Sequence, residues 1–214
     1  QSFYAVWDQW PKSGAATFAA IASANLQQQT ILEEKPEGLR VTSNTPVDWL
    51  TKQGWYMDLV VTGATSNNGE RVIYEAVMHE GQIVFSTFVP STAICDASGS
   101  GFVMVVEALS GSRPSLPPID ITGDGVIDAK DLVVLGKSGA AVAVTGYKSV
   151  HGIPSSPVFI EGAGGTASYV AVAFSDGYTG RFYTPGTGPG ADIDRIPRFS
   201  SGAVKGRVTW KRLK

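Results

Sequence analysis

The sequence predicts an all-β domain, and three observations carry the prediction. The 214 residues include 25 glycines and 12 prolines, whereas only 17% of the residues are charged. Many turn formers and few charges are typical of a chain with many short strands rather than long helices. Several runs of about four to eight residues are also rich in β-branched and aromatic side chains. The length suits one domain with a sizeable core, and we expect residues 1–214 to form a single unit.

Charge and hydropathy exclude two classes of partner. The formal net charge of -2 gives no electrostatic footprint for nucleic acid or for an anionic membrane surface. No apolar run approaches the roughly 18 residues that a membrane span requires. Cys95 is the single cysteine, so an internal disulfide is excluded. Either it is a buried free thiol or its partner lies in sequence beyond these residues.

The strands of the first half are predicted from their apolar and β-branched content. They cover residues 3–7, 26–33, 38–43, 54–61, 71–78, 82–89 and 102–109. The Ala-rich stretch 15–25 is either a short helix or a packed loop. Glu80-Gly81 is a short glycine-containing link typical of a hairpin. Residues 70–111 therefore form a predicted meander of at least three strands, about the size of one propeller blade.

The strands of the second half are shorter. They are predicted at residues 141–144, 158–160, 169–174, 180–183 and 204–213. Asp176-Gly177 is the predicted hinge between the third and fourth of these strands. In the last strand Val208 and Trp210 share one face, and the charged side chains project from the other face into water. We expect most of the five tryptophans to pack in the core.

One stretch has a spacing that implies chemistry, the twelve residues from Asp120 to Asp131. Calcium takes about six to eight oxygen ligands, and an EF-hand loop supplies them from positions 1, 3, 5, 7, 9 and 12, with glycine at position 6. Gly125 at position 6 fixes the register. The predicted ligands are then Asp120, Thr122, Asp124, the Val126 carbonyl, Asp128 and Asp131. The alternative is a solvated Asp/Gly turn that binds nothing, but four aspartates at this spacing repel one another without a cation.

Two features of this loop depart from a complete EF-hand. Thr122 is neutral, and Asp131 is one methylene shorter than the usual glutamate, so both predict weaker calcium binding. Prolines upstream exclude an entering helix, whereas residues 129–135 predict a short exiting helix. The sequence therefore predicts half an EF-hand, as in dockerin-like loops.

Catalytic constellations are not recognisable in the sequence. His79 and His151 are the only histidines, and with one cysteine and no Gly-x-Ser-x-Gly they supply neither a zinc site nor a serine or cysteine triad. We therefore expect a protein that is not an enzyme.

Several stretches together resemble the C-terminal domain of the PilC/PilY family, the type IV pilus tip-associated adhesins and assembly factors. These stretches are Tyr4-Ala-Val-Trp-Asp, Arg40-Val-Thr-Ser, Gly54-Trp-Tyr-Met-Asp-Leu, Gly69-Glu-Arg-Val, Val84-Phe-Ser-Thr-Phe-Val-Pro-Ser, Gly101-Phe-Val-Met-Val-Val-Glu-Ala-Leu-Ser-Gly, the Asp loop, Gly152-Ile-Pro-Ser-Ser-Pro and Gly206-Arg-Val-Thr-Trp-Lys-Arg-Leu. Their order also matches. Family members are usually much longer, and the first residues of this chain read as a strand already under way, so we expect a fragment of a longer chain.

The resemblance implies a fold, a metal and a role. The fold is part of a modified β-propeller with antiparallel meander blades and one inserted calcium loop of the form Asp-x-Asp-x-Asp-x-x-x-Asp, which Thr122 interrupts here. The implied role is an exported protein at the pilus tip or cell surface, associated with the outer membrane, that supports pilus biogenesis, retraction control, twitching motility and adhesion. The implied partners are minor pilins at the pilus tip, the N-terminal part of the same longer chain and a host surface receptor.

Two alternatives come from other classes of protein. Residues 105–111 also resemble a blade ending of propeller enzymes that use calcium with pyrroloquinoline quinone. Their calcium lies with the quinone at the propeller axis rather than in a contiguous Asp loop, and their repeated tryptophan signature is not found here. The second alternative is a dockerin-like module that binds a scaffold protein, but such modules are small, helical and usually carry two loops.

Overall fold

The computed structural model describes residues 1–7, 21–65, 68–91, 99–122, 127–160 and 169–183, with side chains to residue 180. The strands are β1 (Ser2–Val6), β2 (Gln27–Glu34), β3 (Leu39–Thr42), β4 (Gly54–Val61), β5 (Val77–His79), β6 (Gln82–Ser86), β7 (Val89–Pro90), β8 (Gly99–Ser100), β9 (Phe102–Glu107), β10 (Leu132–Val134), β11 (Ala141–Ala143), β12 (Gly146–Lys148), β13 (Val158–Ile160), β14 (Tyr169–Ala173) and β15 (Thr179–Tyr183). Two single 3₁₀ turns, Ser23–Asn25 and Ala129–Asp131, are the helical segments of this described part. The all-β prediction is confirmed.

Eight strands form one sheet that curls into a half-barrel, in the order β1-β4-β2-β3-β12-β9-β6-β5. The pairing is antiparallel except between β2 and β4, which run parallel. A three-stranded sheet, β13-β14-β15, and the pairs β7-β8 and β10-β11 complete the described strands. The ends of the large sheet, β1 and β5, do not pair with each other in the described strand order, so the sheet is not closed into a barrel.

The meander predicted within residues 70–111 is present as β5-β6-β9. Its turn has positive φ at both Glu80 (45°) and Gly81 (80°), which is the geometry that twisted hairpins favour. The strand predicted at 71–78 is wrong in length, because only Val77–His79 pairs with β6, and Arg71 forms an isolated bridge with Phe88. The meander is also not a separate blade, since β12 inserts between β9 and β3 and joins it to the rest of the sheet.

Strand β9 is apolar from Phe102 to Val106, and both of its faces are buried there. Val103 and Val105 project into the first core cluster, whereas Phe102, Met104 and Val106 project into the second. The buried members of the first cluster are Leu39, Val84, Val103, Val105, Ile119, Val144, Val170, Val172 and Phe174. Those of the second are Ile31, Trp55, Met57, Leu59, Phe85, Phe102, Met104 and Val106. The sheet thus separates two cores, and the first contains Ile119, the residue that precedes the Asp loop.

A buried charge pair crosses the sheet. Arg40 in β3 is 2% exposed and Glu70 is 1% exposed. The Arg40 guanidinium donates to both Glu70 carboxylate oxygens at 2.7 and 2.8 Å and also to Glu34 at 3.1 Å. Its Cζ lies 3.3 Å from the centre of the Phe102 ring. Two bonds in this fork geometry fix the guanidinium and satisfy the carboxylate without water.

Some predicted features lie outside the described residues. These are residues 15–20 of the Ala-rich stretch, Cys95, Trp10, residues 204–213 and, within the loop, residues 123–126. Trp55 is fully buried as expected for a core tryptophan, but Trp7 and Trp49 are half-exposed.

Candidate metal centre

The incoming arm of the Asp loop is held by the first core cluster. Ile119 is 1% exposed and packs in that cluster, with Ile121 against it. Asp120, between these two anchors, is 7% exposed. The hydroxyl of Thr122 donates to Asp120 Oδ1 at 3.1 Å. The first two predicted ligands are therefore adjacent, and both present oxygen atoms.

Asp131, at the last loop position, closes the loop. Its Oδ1 accepts the backbone N–H groups of Ile121 at 3.0 Å and Thr122 at 3.2 Å. Its Oδ2 accepts the N–H of Asp128 at 2.9 Å. The side chain is fully buried. Three N–H donors satisfy the buried carboxylate oxygens, and they bring the two ends of the loop together.

The outgoing arm starts with a short capped turn. Asp128 Oδ1 accepts the N–H of Lys130 at 2.7 Å, in the manner of an N-cap. The exiting helix predicted for residues 129–135 is wrong, because the turn ends at Asp131 and Leu132 begins β10, which pairs with β11. The β-branched Val133 and Val134 favour this strand, and pairing with Val142 and Ala141 decides the matter.

The structure brings Asp120, Thr122, Asp128 and Asp131 to the two ends of one loop, while Asp124 and Val126 lie outside the described residues. Within the described part of the chain, no group of three or more His, Cys, Asp or Glu side chains is placed to hold a metal. The donors that are present are carboxylate and hydroxyl oxygens. An all-oxygen donor set of this kind suits hard cations such as calcium, magnesium and manganese, which include the predicted ion. The ligand assignments themselves stay a prediction.

Two side chains of β2 and its turn hold the outgoing arm from outside the loop. The Lys35 ammonium donates to the Val134 carbonyl at 2.7 Å and to Glu33 at 2.8 Å. The other Glu33 oxygen accepts the N–H of Gly136 at 3.0 Å. We call this arrangement of Glu33 and Lys35 the clamp. The sequence analysis missed it, because Glu-x-Lys at a strand end looks like an ordinary solvated surface.

The clamp also sets the electrostatics of Glu33. The hydrogen bond from Lys35, followed by that from the Gly136 N–H, lowers the pKa of Glu33 below its ordinary value. Both donors favour the charged carboxylate, because the ion pair and the backbone dipole would be lost on protonation. The clamp is therefore intact when Glu33 is ionised.

A second concave feature lies at the end of the second core cluster. It is an apolar groove of about 340 Å³ lined by Ala5, Val6, Trp7, Trp49, Trp55, Ala108 and Leu109. Trp7 and Trp49 meet edge to face at its mouth, 5.8 Å apart. Trp55 lies at its base, where its indole N–H donates to the Ala108 carbonyl at 2.9 Å.

Comparison with known proteins identifies the family. Over 170 residues, 73% of this chain, the sequence is 30% identical to the type IV pilus biogenesis factor PilY1 of Pseudomonas aeruginosa. The fold matches the crystal structure of the PilY1 C-terminal domain from the same organism, with a TM-score of 0.68, 25% identity and coverage of 87% of this chain. The chain belongs to the PilY1 family.

Further relatives support the PilY1 assignment. Two PilY1 homologues of Xylella fastidiosa are 34% identical over 127 residues and 29% identical over 198 residues. The chain spans 14% of the length of the Pseudomonas aeruginosa relative and 37% of the crystallised PilY1 chain. No profile of a known protein family matches the sequence. The part of the chain that the structure describes holds no helix long and apolar enough to cross a bilayer.

Proposed function

We propose that this chain is a C-terminal domain of a PilY1-type protein and acts in type IV pilus biogenesis as a binding and assembly component rather than as an enzyme. The observation that carries the proposal is the joint match of sequence and fold to PilY1 and its C-terminal domain. The proposed location is the pilus tip or cell surface, and the proposed partners are minor pilins. The curled sheet is proposed to be part of a β-propeller-like domain, and the match of its fold to the PilY1 C-terminal domain supports this.

The Asp loop is proposed to bind calcium. Closure of the loop by Asp131 brings Asp120, Thr122 and Asp128 to its two ends, and the chain supplies Asp124 and the Val126 carbonyl between them. Bound calcium would neutralise the carboxylates. Because Thr122 is neutral and the last carboxylate is short, we expect a dissociation constant of roughly 10⁻⁶ to 10⁻³ M, the range of sensors and extracellular modules.

Calorimetric titration of calcium tests the site. Asp124→Ala is expected to abolish binding because it removes a central ligand, and Thr122→Asp is expected to tighten binding if position 3 coordinates the ion. Asp48→Ala is the matched control, since it removes an exposed aspartate outside the loop. Unchanged affinity in Asp124→Ala would rule out the loop as the calcium site.

Genetic replacement tests the biological role. Deletion of the gene in the source bacterium is expected to reduce surface pili, twitching and attachment. A strain carrying only Asp124→Ala should separate assembly from calcium control, with pili present but retraction altered. Normal piliation, twitching and attachment after deletion, with no second homologous gene, would contradict the role.

A further inference from the structure

The clamp residues lie at the end of β2 and in the turn after it, and they bind the segment that leaves the Asp loop. Val134 follows Asp131 by three residues in an extended strand, a distance of about 10 Å. Its carbonyl is held by Lys35, whose side chain is only 16% exposed. Two residues later the Gly136 N–H is held by Glu33. The segment that leaves the loop is therefore attached at two points to β2.

The same end of β2 is connected to the buried charge pair. Glu34, the neighbour of Glu33, accepts two bonds from Arg40 at 3.1 and 3.2 Å. The turn after β2 is closed by backbone bonds of 2.8 Å from the Lys35 N–H to the Leu39 carbonyl and from the Gly38 N–H to the Lys35 carbonyl. Lys35 thus contributes its backbone to the turn and its side chain to the loop segment.

We propose that Glu33 and Lys35 couple the calcium loop to the β2–β3 turn, so that ion binding and ordering of the turn stabilise each other. This inference rests on the proposed calcium site. Asp131 already ties the outgoing arm to the incoming arm by N–H bonds, so an ion bound between the arms would stabilise that closed arrangement, and β10 joins it to Val134. The clamp then limits the motions of the β2–β3 turn. Thermodynamic linkage requires the reverse effect, so loss of the clamp must weaken calcium binding by the same factor.

The test uses the 214-residue chain, calcium alone as ligand, and Lys35→Met, which keeps the aliphatic stem and removes the ammonium. We expect its calcium dissociation constant to rise about fivefold, the low end of typical coupling, because Lys35 is partly solvated. Lys52→Met is the matched control: Lys52 makes a similar lysine-to-carbonyl bond, 2.8 Å to Ala24, and neither residue belongs to the loop or to the clamp. Its calcium affinity should equal that of the wild type.

Hydrogen exchange supplies a second readout. In the wild type, calcium should slow exchange of the Lys35 and Gly38 amides, whereas in Lys35→Met it should slow only the loop amides of Ile121, Thr122 and Asp128. Glu33→Gln keeps an oxygen for the Gly136 N–H but loses the charge opposite Lys35. The calcium dissociation constant of Glu33→Gln should also rise, but by less than that of Lys35→Met. Glu33→Gln is the variant to measure if Lys35→Met does not fold.

The outcomes separate the two proposals. If the wild-type chain binds no calcium, the calcium site fails and the coupling fails with it. If calcium binds with equal affinity to the wild type and to both clamp variants, and the turn amides do not respond, the site stands and the coupling is overturned.

Discussion

Two buried carboxylates in this chain find their hydrogen-bond donors in different ways. Glu70 receives two bonds from the Arg40 guanidinium, which lies 30 positions away in sequence. Asp131 receives three backbone N–H groups from its own loop. Glu70 thus faces the full positive charge of a guanidinium, whereas Asp131 faces only the partial charges of backbone N–H groups. The twelve loop residues contain four aspartates and one lysine, a net charge of -3, which the proposed calcium ion would offset.

The largest effect is expected from breaking the internally neutralised pair. Arg40→Met leaves Glu70 buried without its cation, and removal of one partner of a buried pair typically costs about 3–5 kcal/mol. The free energy of unfolding in urea should fall by that amount, at any calcium concentration. Arg71→Met is the control, since Arg71 is exposed and should change stability by less than about 0.5 kcal/mol. Equal midpoints for the two variants would mean that the pair does not hold the sheet.

The second effect concerns the carboxylate held by N–H groups. In Asp131→Asn one oxygen becomes an NH₂ group that faces the Asp128 N–H, so one buried donor is left unsatisfied. The expected loss is about 1–3 kcal/mol, measured by thermal or urea unfolding without calcium. Asp48→Asn, at an exposed aspartate, should have little effect. A loss that appears only in the presence of calcium would assign Asp131 to the ion rather than to loop closure.

The variant Asp131→Glu tests further whether Asp131 acts as a calcium ligand or as the acceptor that closes the loop. If Asp131 is a ligand that is too short, Asp131→Glu should increase calcium affinity, since glutamate is the usual bidentate residue at position 12. If its main role is to accept three N–H groups, the longer side chain displaces both oxygens and affinity should fall. The bonds in the structure favour a fall, by about tenfold for the loss of one or two charge-assisted bonds. Calorimetry with Asp48→Glu as control decides between them.

The smallest expected effect is the pH dependence of the clamp. The pKa of Glu33 is lowered in the folded chain, first by Lys35 and then by the Gly136 N–H, so its contribution to stability is complete above the unfolded value of about 4.3. That contribution is lost as the pH falls through the lower folded value. Stability of the wild type should therefore drop more steeply with acid than that of Glu33→Gln. Parallel pH profiles for the two chains would show that the clamp bonds are not formed in solution.

The features that the sequence predicts are those set by residues a few positions apart. The apolar run of β9, the turn residues Glu80 and Gly81 and the spacing of the loop aspartates each act over a few positions, so they are readable without a structure. The exiting helix was wrong because pairing of β10 with β11 overrode a weak local preference. The Arg40–Glu70 pair and the clamp join residues 30 and about 100 positions apart, and no local signal marks such partners.

The buried position of Trp55 makes its fluorescence a probe of the core. Trp55 is fully buried, Phe3 stacks near it with ring centres 5.7 Å apart, and a Cβ at Gly111 would overlap its ring. A water-soluble quencher should therefore reach the half-exposed Trp7 and Trp49 but not Trp55. In a chain with Trp10 and Trp210 replaced by phenylalanine, the emission that survives quenching is that of Trp55, and its loss during unfolding reports the second core cluster without any label.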